Sequence, residues 1–145
     1  MIACLPRWIE NDPVARALHE HRHGVHSPEE VRDVLVRAMR TWALGDLEHP
    51  DVVSFDRFRA RIQRALEAAR GRGASVLVAT SAGPVAVALH LGGHPRSGNP
   101  TEIMDLAMEI TNSSVTRLHY GGEGSPRIAG ANDVSHLGSE DVTYF

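Results

Sequence analysis

Residues 75–91 read S-V-L-V-A-T-S-A-G-P-V-A-V-A-L-H-L, and no other stretch restricts the fold as much. Val76, Leu77, Val78 and Ala79 form an apolar run long enough for a buried strand and too short for a helix. Thr80, Ser81, Ala82 and Gly83 are small and turn-tolerant. Pro84 suits the first turn of a helix, where its missing N–H costs nothing. A strand that breaks into such a turn and opens a helix aims several free N–H groups at one point. The helix dipole adds partial positive charge there, so this turn is expected to hold an anion, phosphate first. The other reading is a strand-to-helix turn with no ligand in it.

The chain has 145 residues, which fits one domain around a single core. A hydrophobic content of 42% supports a folded chain. A formal net charge of −3 without blocks of like charge argues against nucleic acid or an anionic membrane as partner. Cys4 is the single cysteine, which excludes an internal disulfide and suits a reducing compartment. No apolar run approaches a membrane span, and residues 1–8 lack a signal-peptide layout, so a cytoplasmic location is expected. All fifteen basic residues are arginine. Without lysine, Schiff-base chemistry and the lysine-dependent phosphate loop are both excluded.

Ser27-Pro28-Glu29-Glu30 is a helix start with serine cap, early proline and a capping box. Val31, Val34, Leu35, Ala38, Met39 and Trp42 follow on one face, and Gly45 stops the helix. A second helix is expected from near Ser54 to Gly71. Its apolar face is Phe55, Phe58, Ile62, Ala65, Leu66 and Ala69, and Arg57, Arg61 and Arg64 lie on the wet side. Residues 92–100 read as a loop and 101–108 as a short helix. Residues 114–120 alternate like a strand, 121–126 turn, and 127–131 return as its hairpin partner. The tail from Asn132 reads as loop. Helices alternating with strands predict a layered α/β fold.

Four blocks then stand in a telling order: S-F-D-R-F-R-A-R-I-Q-R-A-L, V-L-V-A-T-S-A-G-P-V-A-V-A-L, I-T-N-S-S-V-T-R-L and N-D-V-S-H-L. Together they resemble the C-terminal half of the histidine phosphatase superfamily, the phosphoglycerate mutase-like enzymes, over residues 54–137. Residues 1–53 are similar to the family's middle insert, and Glu10 in W-I-E-N-D resembles its general acid. The resemblance implies a three-layer α/β sandwich, incomplete at the N-terminus. It also implies phosphoryl transfer through a phosphohistidine, with no cofactor and no metal. In such chemistry an imidazole attacks phosphorus and a carboxylic acid protonates the leaving oxygen.

Two departures decide what activity to expect. The family's nucleophile sits in an arginine-histidine-glycine motif after an N-terminal strand, and that strand has no counterpart here. Arg22-His23-Gly24 has the letters, but A-L-H-E-H before it is no apolar strand, and it follows Glu10 instead of preceding it. Ser81 stands where active members carry a second phosphate-contacting histidine, and serine cannot carry positive charge. Losing one such donor costs about 3–4 kcal/mol of barrier. Losing the nucleophile costs roughly a million-fold in rate. The expectation is a catalytically impaired chain, through truncation or degeneration, that can still bind phosphate or a small phosphorylated molecule. A non-enzymatic binding or interaction module is the alternative, and a phosphatase with rearranged histidines a third reading.

The remaining candidates have plainer readings. Asn112, Asn132 and His136 are expected to tie loops to backbone groups. His19, His23 and His26 have helical spacing for metal ligands, but Gly24 interrupts them and no fourth ligand is at hand, so a solvated loop is expected. Arg57, Arg59, Arg61 and Arg64 read as a solvated helix face, and Trp8 and Trp42 as core anchors. A missing central strand would expose a sheet edge, and such edges invite pairing, so a homodimer or a poorly stable monomer is expected.

Overall fold

The computed structural model describes residues 15–16, 27–47, 52–122 and 124–144. They form helices α1 (Pro28–Leu44), α2 (Phe55–Arg70), α3 (Ala82–Leu91) and α4 (Pro100–Ala107), then strands β1 (Val115–His119) and β2 (Arg127–Asp133). A single turn of 3₁₀ helix follows at Ser139–Asp141. The class is mixed α and β. The chain divides into two compact units, Met1–Phe55 and Asp56–Phe145.

In the first unit the capping box sets where α1 begins. Ser27 Oγ accepts from the Glu30 N–H, and the Glu30 carboxylate accepts from the Ser27 N–H at 2.7 Å. Gly45 ends the helix at φ +83°, a left-handed position that costs glycine nothing. Val34, Ala38 and Ala43 are buried. Trp42 anchors the segment that follows: its indole N–H donates to the Val53 carbonyl at 2.7 Å, and its ring meets Phe55 edge to face with centroids 5.4 Å apart.

The second unit is centred on α3 and α4. Apart from His90 near its end, helix α3 is apolar all round, the pattern of a buried helix. Val87 and Leu89 of α3 and Ile103 and Met104 of α4 are fully buried, each contributing about 1.5–3 kcal/mol. Asn99 caps α4 by accepting from the Glu102 N–H at 3.0 Å. The buried Ser97 is satisfied too. Its hydroxyl donates to the His94 carbonyl, and its own carbonyl takes a bond from His90 Nδ1 at 2.7 Å. A carbonyl only accepts, so Nδ1 carries the His90 proton.

Strands β1 and β2 pair antiparallel, joining Val115 to Asp133, Arg117 to Gly130, Leu118 to Ile128 and His119 to Arg127. Between the first two pairs β2 advances three residues against two, and between the next two it advances two against one. Each step is a bulge. Asn132, in the first of them, takes φ +51°. Residues 132 and 133 are therefore strand, where a loop was expected. The helices begin and end within a residue or so of the expected limits.

Residues 76–79 correct the expectation of a buried strand. Among the described residues they belong to no helix or strand and pair with nothing, and every one is exposed. A β-carbon on Gly83 would lie 3.5 Å from Cζ of Phe58, so the start of α3 sits against the start of α2. From Arg70 the chain must come back along α2 over roughly 18 Å. Burial needed a neighbouring strand, and β1 pairs only with β2. The apolar face expected on α2 is likewise only half covered: Phe58, Ile62, Leu66 and Ala69 are half-buried, and Ala65 is exposed.

Candidate phosphate-binding turn

The returning run delivers Thr80 and Ser81 to the start of α3. Ser81 is the cap residue, with extended backbone at φ −106° and ψ 172°. Its carbonyl accepts the first helical bond, from the Val85 N–H at 3.3 Å, while its hydroxyl makes no capping bond. Pro84 has no N–H to offer. The N–H groups of Ala82 and Gly83 have no partner among the described residues. Ser81 is exposed and Ala82 and Gly83 half-buried, so a hydroxyl and two amide donors are open to water beside the positive end of the helix dipole. Among the described residues no cationic side chain makes an ion pair or hydrogen bond at this turn.

Glu10 lies outside the described residues, as do Arg22-His23-Gly24, Trp8 and the histidines at 19, 21, 23 and 26. Nothing in the structure brings them to Ser81 or separates them from it. Among the described residues no group of three or more His, Cys, Asp and Glu side chains is arranged to hold a metal. No helix among them is long and apolar enough to cross a membrane.

The three residues expected to tie loops do so. Asn132 Oδ1 accepts from the Thr111 N–H at 2.8 Å, and its Nδ2 donates to the Glu109 carbonyl at 3.1 Å. Asn112 Nδ2 donates to the Thr143 hydroxyl at 3.1 Å, and His136 Nε2 lies 3.1 Å from the Ser113 carbonyl. Arg59 pairs loosely with Asp56 at 3.4 Å, and Arg61 lies over the Phe58 ring at 5.8 Å. These arginines serve the α2 surface.

Three charged pairings escaped the sequence reading, because no spacing rule links residues so far apart. Arg96 grips Glu109 with both guanidinium nitrogens. That hydrogen bonding holds the Glu109 carboxyl below its usual range and raises Arg96. Asp133 accepts from the Ser135 N–H at 3.0 Å and from Arg117 at 2.8 Å, and those bonds, Ser135 first, hold its carboxyl far below the usual range. Arg70 donates to the Gly122 carbonyl and lies 5.5 Å from the centre of the Tyr120 ring, and burial raises that phenol. An open hollow of about 300 Å³ at one end of the hairpin is lined by His119, Arg127, Ile128 and Ala129. Comparison with protein-family models, with curated proteins and with solved structures finds no match.

Proposed function

We propose that the turn from Thr80 to Gly83 binds the phosphate group of a small phosphorylated molecule, on a scaffold of the histidine phosphatase type, without normal turnover. The observation that carries this reading is the trio of unengaged donors at the start of α3: the Ser81 hydroxyl and the Ala82 and Gly83 N–H groups. The order of segments supports the scaffold: helix, unpaired apolar run, small-residue turn, two helices, then a hairpin. The exposed run at 76–79 is what a three-layer sandwich would leave if its central strand were not paired there. Ser81 in the second histidine's place supports impaired chemistry, since a hydroxyl cannot offset the charge that develops on a transferring phosphoryl group.

Neutral donors at one helix end imply weak binding. About 4 kcal/mol corresponds to a dissociation constant near 1 mM. The test is calorimetric titration with inorganic phosphate and with a sugar phosphate, on the wild type and on Ser81→Asp. Aspartate is a good cap, so the variant keeps or gains stability, yet its carboxylate repels the anion. Saturable millimolar binding lost in Ser81→Asp supports the reading. No saturation, or equal binding by the variant, refutes it. A p-nitrophenyl phosphate assay with a rate above background would overturn the claim of impaired turnover.

A further inference from the structure

Val76, Leu77 and Val78 are 43%, 95% and 55% exposed. Among the described residues the backbone groups of residues 76–80 make no hydrogen bond. Residues 73–89 include no Asp, Glu, Lys, Arg or His, and residues 75–79 carry no proline. Soluble proteins shield an open strand edge with charge, proline or a bulge. This run has none of these, and its apolar side chains face water.

We propose that residues 75–79 pair antiparallel with the same segment of a second copy of this chain, about a twofold axis at Leu77. The sequence selects that occupant. V-L-V reads the same in both directions. Twofold antiparallel pairing therefore sets Leu77 against Leu77 of the other copy, and Val76 against Val78 on the opposite face. Beyond them the small Ser75 meets the small Ala79, so no large side chain is left facing a gap. The uncharged run has no charge with which to choose a charged partner strand. The contact is isologous, with the same segment on both sides of the axis. A pair of five-residue strands still falls well below the roughly 1,200 Å² of a stable interface. A reversible dimer follows, with a dissociation constant of about 10–100 µM. This inference does not depend on phosphate binding at Ser81.

Analytical ultracentrifugation between about 1 µM and about 1 mM tests the state, with far-UV circular dichroism as control for folding. Wild type is expected to shift from monomer to dimer across that range. Leu77→Lys is expected to stay folded, because Leu77 touches almost nothing, and to weaken the dimer at least about tenfold. Disulfide trapping tests the register, in a Cys4→Ser background. A twofold axis at Leu77 puts the two Cα atoms of position 77 about 4.5–5.5 Å apart, within disulfide reach. Position 79 is then roughly 13 Å from its copy. Leu77→Cys is expected to cross-link on oxidation and Ala79→Cys is not. A monomer throughout the range, a dimer indifferent to Leu77→Lys, or equal cross-linking at both positions (the mark of parallel pairing) overturns the proposal.

Discussion

Asn132→Ala removes the side chain that holds the bulge of β2 to the end of α4, and its cost can be worked from the geometry. The Thr111 N–H loses its acceptor at 2.8 Å, and Thr111 is only 4% exposed, so water does not replace the bond. An unsatisfied buried donor costs about 1–3 kcal/mol. The Glu109 carbonyl loses its donor at 3.1 Å, but Glu109 is exposed and water takes over, for a loss of about 0.5 kcal/mol. Alanine must then hold φ near +51°, which asparagine tolerates and alanine does not, for about 1–2 kcal/mol. The sum is about 2.5–5.5 kcal/mol, a large part of the stability of a domain this size. Urea unfolding followed by far-UV circular dichroism reads it as a lower midpoint with an unchanged slope. Asn132→Gly separates the parts. It loses both hydrogen bonds but escapes the left-handed cost, against about 0.5–1 kcal/mol of added chain entropy. It should therefore fall slightly above the alanine variant. A loss under about 1 kcal/mol for Asn132→Ala would refute the reasoning, because the bonds would then not be holding the hairpin.

Two further outcomes follow from contacts in the same unit. Gly92→Ala would place a β-carbon 2.8 Å from Cγ1 of Ile128, so it should cost about 1–3 kcal/mol, and Ile128→Ala should relieve part of that in a double-mutant cycle. Additive effects there would deny the clash. Asp133 has its carboxyl held low in the folded state, so its contribution is present above the ordinary carboxylate pKa and disappears as pH falls below about 4. Asp133→Asn should flatten the acid limb of a stability-versus-pH curve below that point, and an unchanged limb would count against the Ser135 and Arg117 bonds as its source.

Where a local rule governs an element, the sequence announced it. Ser27 with Glu30, Gly45 in the left-handed region, Pro84 in the first turn of α3 and the turn-rich 121–126 connection each act within a few residues. The second bulge residue, the Asn132 latch and the Arg96–Glu109 clamp span distances that periodicity does not encode. Residues 76–79 show the opposite failure. V-L-V-A has the composition of a buried strand, but composition states what a segment wants and not whether a neighbour is there to supply it. At the turn, the small residues and their open N–H groups were legible. The open hydroxyl of Ser81 was not, since serine at that position more often bonds its own helix.

The packing of the second unit joins pieces made one after another: the start of α2 meets the start of α3, α3 lies on α4, and β1 folds back on β2. Little loop entropy has to be spent before such partners meet, so each piece can form soon after it leaves the ribosome. The bond from Asn112 to Thr143 spans 31 residues and forms only after both hairpin strands have been made. In that order of events residues 139–144 are a clasp, fastened to a body assembled before they arrive.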